Sequence, residues 1–263
     1  MSGFSAEWLA LREPADVAAR SAAVTRFVTE TFNQQAVVRV VDLGSGTGSN
    51  VRYLSPRLQR PQHWQLMDND PALLDRARSL TPIAVETRVA DLRHLDASAF
   101  GSFDLMTASA LLDLVSESWL RTLVQQCHDH RAALLAALNY DGRIECSPAD
   151  DDDGFVRELV NRHQRTDKGF GPALGPDAGV RFEALLRDAG YSVLREKSDW
   201  RLGIEETELQ RQLVSGWAAA AIELAGQDAG RIRAWERRRL DAVDRQRSEL
   251  VVGHDDVGAM VIR

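Results

Sequence analysis

Cysteines and long apolar runs are scarce in this sequence, and both absences narrow the class of protein. Cys127 and Cys146 are the only cysteines among 263 residues, which is too few for a disulfide framework and fits a reducing compartment. No apolar stretch reaches the roughly 20 residues that a membrane-spanning helix needs. The first residues, MSGFSAEWLALREPAD, lack a basic segment before an apolar run and do not resemble a secretory signal. We therefore expect a cytoplasmic protein without a membrane segment.

An excess of basic residues is also missing. Lys and Arg number 32 against 39 Asp and Glu, which gives a net charge of −7. A general nucleic-acid binder needs a basic surface for its phosphate contacts, so this balance argues against nucleic acid as the partner. The apolar share of 44% and the charged share of 27% are typical of a globular protein with one large core. Nothing in the sequence indicates a particular oligomeric state.

What the sequence does contain is an alternation of strand and helix patterns. A helix is predicted over residues 14–32, with Pro14 in its first turn. Five apolar segments then read as buried strands, namely AVVRVVDLG, HWQLMD, IAVETRVAD, the start of FDLMTASALLDLV, and RAALLAALNYDG. Helical spacing follows the first, second and fourth of them, and Ser116 is a suitable N-cap for the last of these helices. Such alternation predicts a parallel sheet with helices on both faces.

The pattern changes after Asp150. Residues 162–179 contain four glycines and two prolines, so they predict a long loop of the kind that often carries function. A short helix, the strand YSVLREKSDW, two further helices and a final strand within LVVGHDDVGAMVIR follow. No internal repeat or low-complexity linker divides the chain, which indicates one domain with helical additions.

Three glycines at alternate positions, Gly44, Gly46 and Gly48, directly follow the first strand. Glycine there indicates a turn that needs special backbone angles or a close approach that a side chain would block. A strand, a glycine turn and a helix N-terminus form a cradle for a nucleotide-type ligand. Asp68 ends the second strand, where a carboxylate can accept hydrogen bonds from ribose hydroxyls. Ser49 replaces the third glycine of the dinucleotide fingerprint, which argues against a pyrophosphate cradle.

In chain order, VVDLGSGTGSN, QLMDNDPALLDRAR, VADL and FDLMTASALLDLV resemble successive motifs of the class I S-adenosylmethionine-dependent methyltransferases. The resemblance covers residues 37–140. It implies an α/β fold with a doubly wound, Rossmann-like, seven-stranded sheet whose last strand is antiparallel. Helices would be added at the N-terminus and before the last strand. The resemblance also implies one domain over residues 1–263, with substrate or lid elements at residues 1–32 and 150–248.

The same resemblance implies S-adenosylmethionine as the cofactor, S-adenosylhomocysteine as the product, and a set of binding residues. The residues implied for the ribose and adenine are Asp68 on the ribose, Asn69 beside the adenine, and Asp91 with the Leu92 backbone at the adenine edge. The residues implied for the methionine end are Asp42, Gly44, Gly46, Gly48 and Ser109, the last near the transferring methyl group.

The acceptor side is predicted from side-chain chemistry. Asp113 can orient or deprotonate an acceptor, and a solvated aspartate at a helix start is the alternative. In RHQRTDKGFG, His163, Arg165 and Lys168 can bind an acidic acceptor, and an ordinary polar loop is the alternative. We favour binding because this loop follows the fifth strand, and ligands bind beyond the carboxyl ends of parallel strands.

Three further features have simpler interpretations. Trp8, Arg12 and Arg20 are polar or aromatic residues near the N-terminus, where a helix could fold over the site and place an arginine on the cofactor's carboxylate, and an ordinary surface role is the alternative. The four aspartates at 150–153 favour a solvated or helix-capping role over a metal site. The seven arginines of residues 231–247 favour a solvated helix face over an RNA-binding patch.

The sequence therefore predicts a methyltransferase that acts on a small molecule, with an acidic acceptor as one option. No metal is required, and the acceptor atom is open because similar scaffolds methylate O, N, C and S. One alternative is an RNA or protein methyltransferase. The arginine-rich helix favours it, whereas net acidity and TASALLD in place of an Asn-Pro-Pro-Tyr-type motif oppose it. The other is a non-catalytic protein that binds the cofactor.

Overall fold

The alternating pattern forms one mixed sheet in the computed structural model, which describes residues 4–93 and 100–262. Its strands are β1 (Val38–Leu43), β2 (Gln62–Asp68), β3 (Glu86–Val89), β4 (Leu105–Ser109), β5 (Ala133–Ser147), β6 (Tyr191–Lys197), β7 (Trp200–Leu202) and β8 (Glu249–Val261). They lie in the order β3-β2-β1-β4-β5-β8-β6, and β7 also pairs with β8. The first five strands are parallel, whereas β8 is antiparallel to β5 and β6. The predicted Rossmann-like sheet with an antiparallel last strand is confirmed.

Helices cover both faces of this sheet. Within the described ranges they are α1 (Ala6–Ala19), α2 (Ala22–Thr29), α3 (Ser49–Leu54), α4 (Pro71–Leu80), α5 (Glu117–Asp129), α6 (Asp153–Gln164), α7 (Ala178–Asp188), α8 (Thr207–Leu224) and α9 (Ala229–Asp244). Ser116 caps α5 as predicted, because its hydroxyl accepts a hydrogen bond from Trp119 N. In the part of the chain that the structure describes, no helix combines the length and apolar character needed to cross a bilayer.

Each face of the sheet has its own hydrophobic core, and residues on opposite sides of a strand belong to different cores. In β1, Val38 and Val40 belong to the core that α2, α3 and α4 cover, whereas Val41 and Leu43 belong to the core that α5 and α7 cover. This alternation follows from the two-residue period of a strand.

A third core lies beyond the carboxyl ends of the parallel strands. Strand β5 continues past two register shifts and pairs with the first half of β8 as far as Ser147. The extension carries Tyr140, and with Trp200 of β7, Trp217 of α8 and Trp235 of α9 it forms the third core. In open parallel sheets this is the side on which ligands bind.

The N-terminal region differs from the predicted single helix over 14–32. Helix α1 starts at Ala6, because Ser5 caps it by accepting a hydrogen bond from Trp8 N. It ends at Ala19, and Ser21 provides a second N-cap for α2. Pro14 therefore lies inside α1 and not in its first turn.

Two other boundaries are corrected. The predicted loop 162–179 begins inside α6, which continues to Gln164, and its last two residues belong to α7. The predicted strand YSVLREKSDW divides into β6 and β7, because Ser198 N bonds to His254 O between them. The sheet therefore has eight strands among the described residues, one more than predicted.

Aspartates within residues 150–153 form ion pairs with arginines of helix α9. Arg238 Nε lies 2.6 Å from Asp150 Oδ2, and Arg239 Nε donates to Asp153 Oδ1 at 2.9 Å. Arg231 pairs with Asp152. The predicted solvated or capping role is corrected to ion pairing for Asp150, Asp152 and Asp153, because α9 packs its arginines against the start of α6, whereas Asp151 is exposed.

Helix α2 packs closely on β8 through a glycine. A Cβ built at Gly258 would lie 2.7 Å from Val28 Cγ2 and 3.0 Å from Val24 Cγ1. We expect Gly258→Ala to lower the free energy of unfolding by about 1–3 kcal/mol, because branched side chains must shift to admit the methyl group. Urea denaturation measures this.

The matched control is Gly230→Ala on exposed α9, where a Cβ would meet no atom within 4 Å; it should cause no loss. Adding Val28→Ala to Gly258→Ala should recover part of the loss. Equal stability of Gly258→Ala and the parent protein would contradict the close packing of α2 on β8.

Candidate active site

The glycine turn joins β1 to α3 in a conformation that side chains disfavour. Gly44, Gly46 and Gly48 have φ values of 64°, 50° and 81°, all in the left-handed region that favours glycine. Gly48 is also held close to α4, since a Cβ there would lie 3.2 Å from the Cβ of Ala77. Backbone angle and packing therefore both require glycine here.

Asp68 fixes this turn to the end of β2. Its Oδ2 accepts a hydrogen bond from Gly46 N at 2.8 Å, and its Oδ1 accepts one from Asp70 N at 3.0 Å. Ser45 N donates to Met67 O at 3.1 Å and makes a second connection. A carboxylate oxygen can accept two hydrogen bonds, so Asp68 keeps capacity for two further donors.

Asp42 is a buried residue near the end of β1, next to Thr107 of β4. Asn50 Nδ2 donates to Asp42 Oδ1 at 2.7 Å and to Thr107 Oγ1 at 3.0 Å. Asp42 Oδ2 has no hydrogen-bond partner among the described residues. Burial raises the pKa of Asp42 to about 7, although its hydrogen bond from Asn50 opposes the shift. Asp42 thus organises the underside of the turn.

Arg20 lies next to this network, at the junction of α1 and α2. Its guanidinium is buried, donates to Asn50 Oδ1 at 2.9 Å, and lies 4.3 Å from the centre of the Tyr53 ring. Arg20 Nη2 has no hydrogen-bond partner among the described residues. A small cleft beside it is lined by Asn50, Tyr53, Ser109 and Leu138. The predicted site residue Ser109 therefore faces an arginine with unused donor capacity.

Helix α1 covers the glycine turn from outside. A Cβ built at Gly46 would lie 2.9 Å from Leu9 Cδ1, and Arg52 Nε donates to Glu13 Oε1 at 2.7 Å. Asp16 is the one buried residue of α1, and the partly buried Trp8, Leu11, Ala15 and Ala19 of this helix pack against the third core. A ligand that touches Gly46 must therefore displace Leu9.

The residues predicted for the adenine lie at the ends of β2 and β3. Asn69 is exposed, and the exposed Asp91 accepts hydrogen bonds from the main chain and guanidinium of Arg93. Leu92 is buried, and its carbonyl accepts a hydrogen bond from Trp119 Nε1 at 2.6 Å. The rest of the motif RVADLRHL, from His94, lies outside the described residues.

Asp113 lies in a short 3-10 turn, Leu112–Leu114, after β4. It is buried, and its Oδ1 has no hydrogen-bond partner among the described residues. Burial raises its pKa to about 6, and the charge of Arg12 on α1 partly opposes this shift. The alternative of a solvated aspartate is therefore wrong.

The three predicted cations of the acceptor loop form one group with two acids. His163 Nε2 lies 2.9 Å from Glu223 Oε2, and Lys168 Nζ lies 3.4 Å from His163 Nδ1. Arg165 Nη2 lies 3.0 Å from Asp177 Oδ2. The structure brings the cations together, but each has an internal partner.

Arg165 connects this group to the sheet. Its Nη1 donates to the carbonyl of Asn161, whose side chain accepts a hydrogen bond from Tyr140 Oη at 2.8 Å. Tyr140 in turn pairs with His254 across β5 and β8. Sequence reasoning missed both of these buried residues. The one available signal was the polar segment GHDD inside an otherwise apolar final strand.

The raised pKa of Asp113 predicts a pH-dependent change in stability that can be measured without a ligand. Its ordinary pKa of 3.8 rises to about 6 in the folded protein, so the ionised form destabilises the fold. The penalty is absent below about pH 4 and complete above about pH 6. We expect Asp113→Asn to raise the free energy of unfolding at pH 8 by about 1–3 kcal/mol, and by much less at pH 4.5.

Urea denaturation at the two pH values measures this gain. Asp75→Asn is the matched control, because the Asp75 side chain is 68% exposed and should give no gain that depends on pH. An equal gain for Asp113→Asn at both pH values would contradict the raised pKa.

Comparison with known proteins agrees with this geometry. Residues 40–132 match the model of a methyltransferase domain family, and no curated protein matches the sequence. The YcgJ protein from Bacillus subtilis is similar in structure, with a TM-score of 0.51, 15% identity, and coverage of 92% of this chain and 100% of that one. The cyclopropane synthase MmaA2 from Mycobacterium tuberculosis has a TM-score of 0.52, 10% identity, and coverage of 98% and 94%.

At these identities the structural likeness shows the fold, and the family model identifies the domain. The β3-β2-β1-β4-β5-β8-β6 order and the glycine turn lie where the sequence motifs place them. The resemblance drawn from those motifs is therefore confirmed for residues 40–132, which match a methyltransferase domain, and the structural likeness confirms the fold.

Proposed function

We propose that this protein transfers a methyl group from S-adenosylmethionine to a small-molecule acceptor. The observation that carries the proposal is the glycine turn held to Asp68 by the bond from Gly46 N, within the region that matches a methyltransferase domain. When bound, the cofactor supplies an electrophilic methyl group on a sulfonium sulfur, which keeps the electron pair of the broken bond in S-adenosylhomocysteine. The protein's main task is then to align the acceptor.

The residues around the turn fit such a cofactor. Asp68 has two unused acceptor positions for ribose hydroxyls, and Arg20 Nη2 is an unpartnered buried donor suited to a carboxylate. Ser109 lines the same cleft as Arg20 and suits the methionine end. Binding requires the Leu9 side chain to leave Gly46.

The remaining cofactor residues complete this arrangement in the proposal. Asn69 and Asp91, with the Leu92 backbone, lie at the ends of β2 and β3 and would contact the adenine. Gly44 and Gly48 keep the turn in its left-handed conformation, and Asp42 supports it from below. Residues 37–140 would then form the cofactor half of a single domain, with residues 1–32 and 150–248 serving the acceptor and the lid.

On the acceptor side, we assign Asp113 as the general base. It lies four residues after the end of β4, and Leu111 of the same segment lies 3.5 Å from a Cβ built at Gly44. The segment that carries Asp113 therefore contacts the glycine turn. A carboxylate with a pKa of about 6 is ionised at neutral pH, yet is more basic than an ordinary aspartate. Its unpartnered oxygen is available to receive a proton from the acceptor.

An acidic group on the acceptor would be bound by the loop cations. His163, Arg165 and Lys168 lie together, and Glu223 and Asp177 currently balance two of them. Both acids are mostly exposed, at 70% and 57%, so an incoming carboxylate or phosphate can replace them at small cost.

The alternative of an RNA or protein methyltransferase draws no support from α9. Four of the seven arginines of residues 231–247, namely Arg231, Arg238, Arg239 and Arg245, form ion pairs with aspartates, which leaves less free charge for phosphates. Incubation with methyl-labelled S-adenosylmethionine and a small-molecule metabolite extract tests the proposal. Label should enter a small product only when the protein is present. Intact cofactor binding without transfer would favour the non-catalytic alternative.

The cofactor site predicts the effect of Asp68→Ala. Removing a charged hydrogen-bond acceptor costs about 1.5–3 kcal/mol, or about ten- to a hundredfold in affinity. We expect S-adenosylmethionine binding, measured by calorimetry, to weaken by that factor. Asp75→Ala on the exposed face of α4 is the control and should bind normally. Unchanged binding by Asp68→Ala, or a preference for NAD, would exclude this site.

The loop cations predict a different pattern. Arg165→Ala and Lys168→Ala should raise KM for an acidic acceptor or lower kcat, because they remove its counter-charge. S-adenosylmethionine affinity should change by less than about threefold, or about 0.7 kcal/mol. Steady-state kinetics and calorimetry separate the two effects. Equal losses of cofactor binding would move the loop to the cofactor site, and a fully active double variant would show an ordinary surface loop.

A further inference from the structure

Beneath α1, side chains from five parts of the chain form a buried cluster, here called the α1 cluster: Arg12, Asp113, Tyr140, Trp200 and His254. Tyr140 and His254 are register partners on β5 and β8, and their ring centres lie 6.3 Å apart. The ring centres of Trp200 and His254 lie 5.0 Å apart. Arg12 lies 4.9 Å over the Trp200 ring, and its charge acts on both Asp113 and His254.

Three polar atoms at this cluster are buried and have no hydrogen-bond partner among the described residues. They are Asp113 Oδ1, His254 Nδ1 and Trp8 Nε1. Asp113 is 8% exposed and His254 is 6% exposed, whereas Trp8 lies one helical turn before Arg12 and packs against the third core. Buried polar atoms are normally hydrogen-bonded, so these three indicate a ligand that satisfies them.

The charges limit what this ligand can be. Arg12 donates from Nε and Nη2 to the carboxylate of Asp16, which also accepts from Trp200 Nε1 at 3.0 Å. The positive charge of Arg12 is therefore already balanced by Asp16, and Asp113 adds a further negative charge. Burial lowers the pKa of His254 to about 3, so its imidazole is neutral. An anionic group would be repelled here, whereas a neutral hydroxyl or amine meets an acceptor at Asp113.

The shape of the surroundings adds a second limit. The rings of Tyr140 and Trp200 lie beside the ring of His254, and Trp8 packs against the third core, to which both belong. Aromatic surfaces favour a flat apolar body through stacking and edge contacts. The Tyr140 hydroxyl is already bound to Asn161, so its ring and not its hydroxyl faces the ligand in this scheme.

We propose that the α1 cluster is the acceptor subsite and binds a planar molecule that is uncharged at its reacting end. The hydroxyl or amine of this molecule gives its proton to Asp113, and His254 and Trp8 hydrogen-bond to the same molecule. The inference rests on the proposed methyl transfer. The proton leaves the nucleophile as its lone pair forms the new bond to carbon, and Asp113 becomes neutral. Leu9 and Arg12 lie one turn apart on α1, so this helix covers the glycine turn and the acceptor subsite together.

The kinetic test compares three variants in the labelled-methyl assay with metabolite extract. Asp113→Asn should lower kcat by about a hundredfold or more, with S-adenosylhomocysteine affinity changed by less than threefold. His254→Phe keeps a ring of similar size and removes Nδ1, so KM should rise by about three- to tenfold with little change in kcat. His63→Phe on β2, an exposed histidine far from the cluster in the sheet order, is the control and should match the parent protein.

A binding test uses phenol and toluene as probes of the S-adenosylhomocysteine complex, followed by saturation-transfer NMR. Phenol should bind, toluene should bind more weakly, and His254→Phe should reduce phenol affinity by about three- to tenfold. Absence of phenol binding to the parent complex, an aliphatic labelled product, or normal kinetics in both cluster variants would overturn the inference. Failure of the parent protein to bind S-adenosylhomocysteine would instead overturn the proposed function.

Discussion

The Asp256 carboxylate is fully buried on β8 and joins three segments at the carboxyl end of the sheet. One oxygen accepts from Leu138 N at 2.8 Å, and the other accepts from Ser21 N at 2.9 Å and lies 3.4 Å from Arg20 Nε. Removing a buried charge from such a set leaves its partners unsatisfied. This carboxylate therefore fixes where β5 leaves the parallel sheet, where α2 begins and where α1 must lie.

The departure of β5 at Leu138 decides what lies above the sheet. Leu138 has a left-handed φ of 54°, and Ala110 at the end of β4 has a φ of 51°. Non-glycine residues seldom adopt these angles, and such strain is often found at functional sites. Beyond this point β5 and β8 form their own antiparallel ladder, and the third core packs on it. The side of the molecule that we propose for the acceptor is thus built on β5 and β8, the same two strands that complete the sheet.

Buried charge is concentrated at this junction. Asp42 and Asp113 have raised pKa values because burial disfavours their ionised forms, and Arg20 retains an unpartnered donor. Charged groups of this kind cost stability unless they are paired. Because they lie next to α1 and the glycine turn, one helix covers both the cofactor side and the acceptor side that we propose.

The cofactor side of the fold was readable from the sequence, because local patterns determine it. β-branched runs followed by glycine predicted β1, and the strand–helix alternation predicted the parallel sheet. Gly46 and Asp68 were identified from spacing alone, and their direct hydrogen bond follows from the parallel pairing of β1 and β2. The break between α1 and α2 was missed, because it depends on Ser21 meeting Asp256, which is 235 residues away.

The contacts on the proposed acceptor side depend on tertiary structure. His254 and Tyr140 are 114 residues apart in the printed sequence, and only the antiparallel register of β5 and β8 makes them neighbours. The aspartates at 150–153 find the arginines of α9 through packing that no local pattern encodes. The sequence by itself therefore determined the sheet and the glycine turn, since both arise from contacts near in sequence or from strand periodicity. Burial of Asp113 and its neighbours arises from long-range contacts, and the tertiary structure alone decided it.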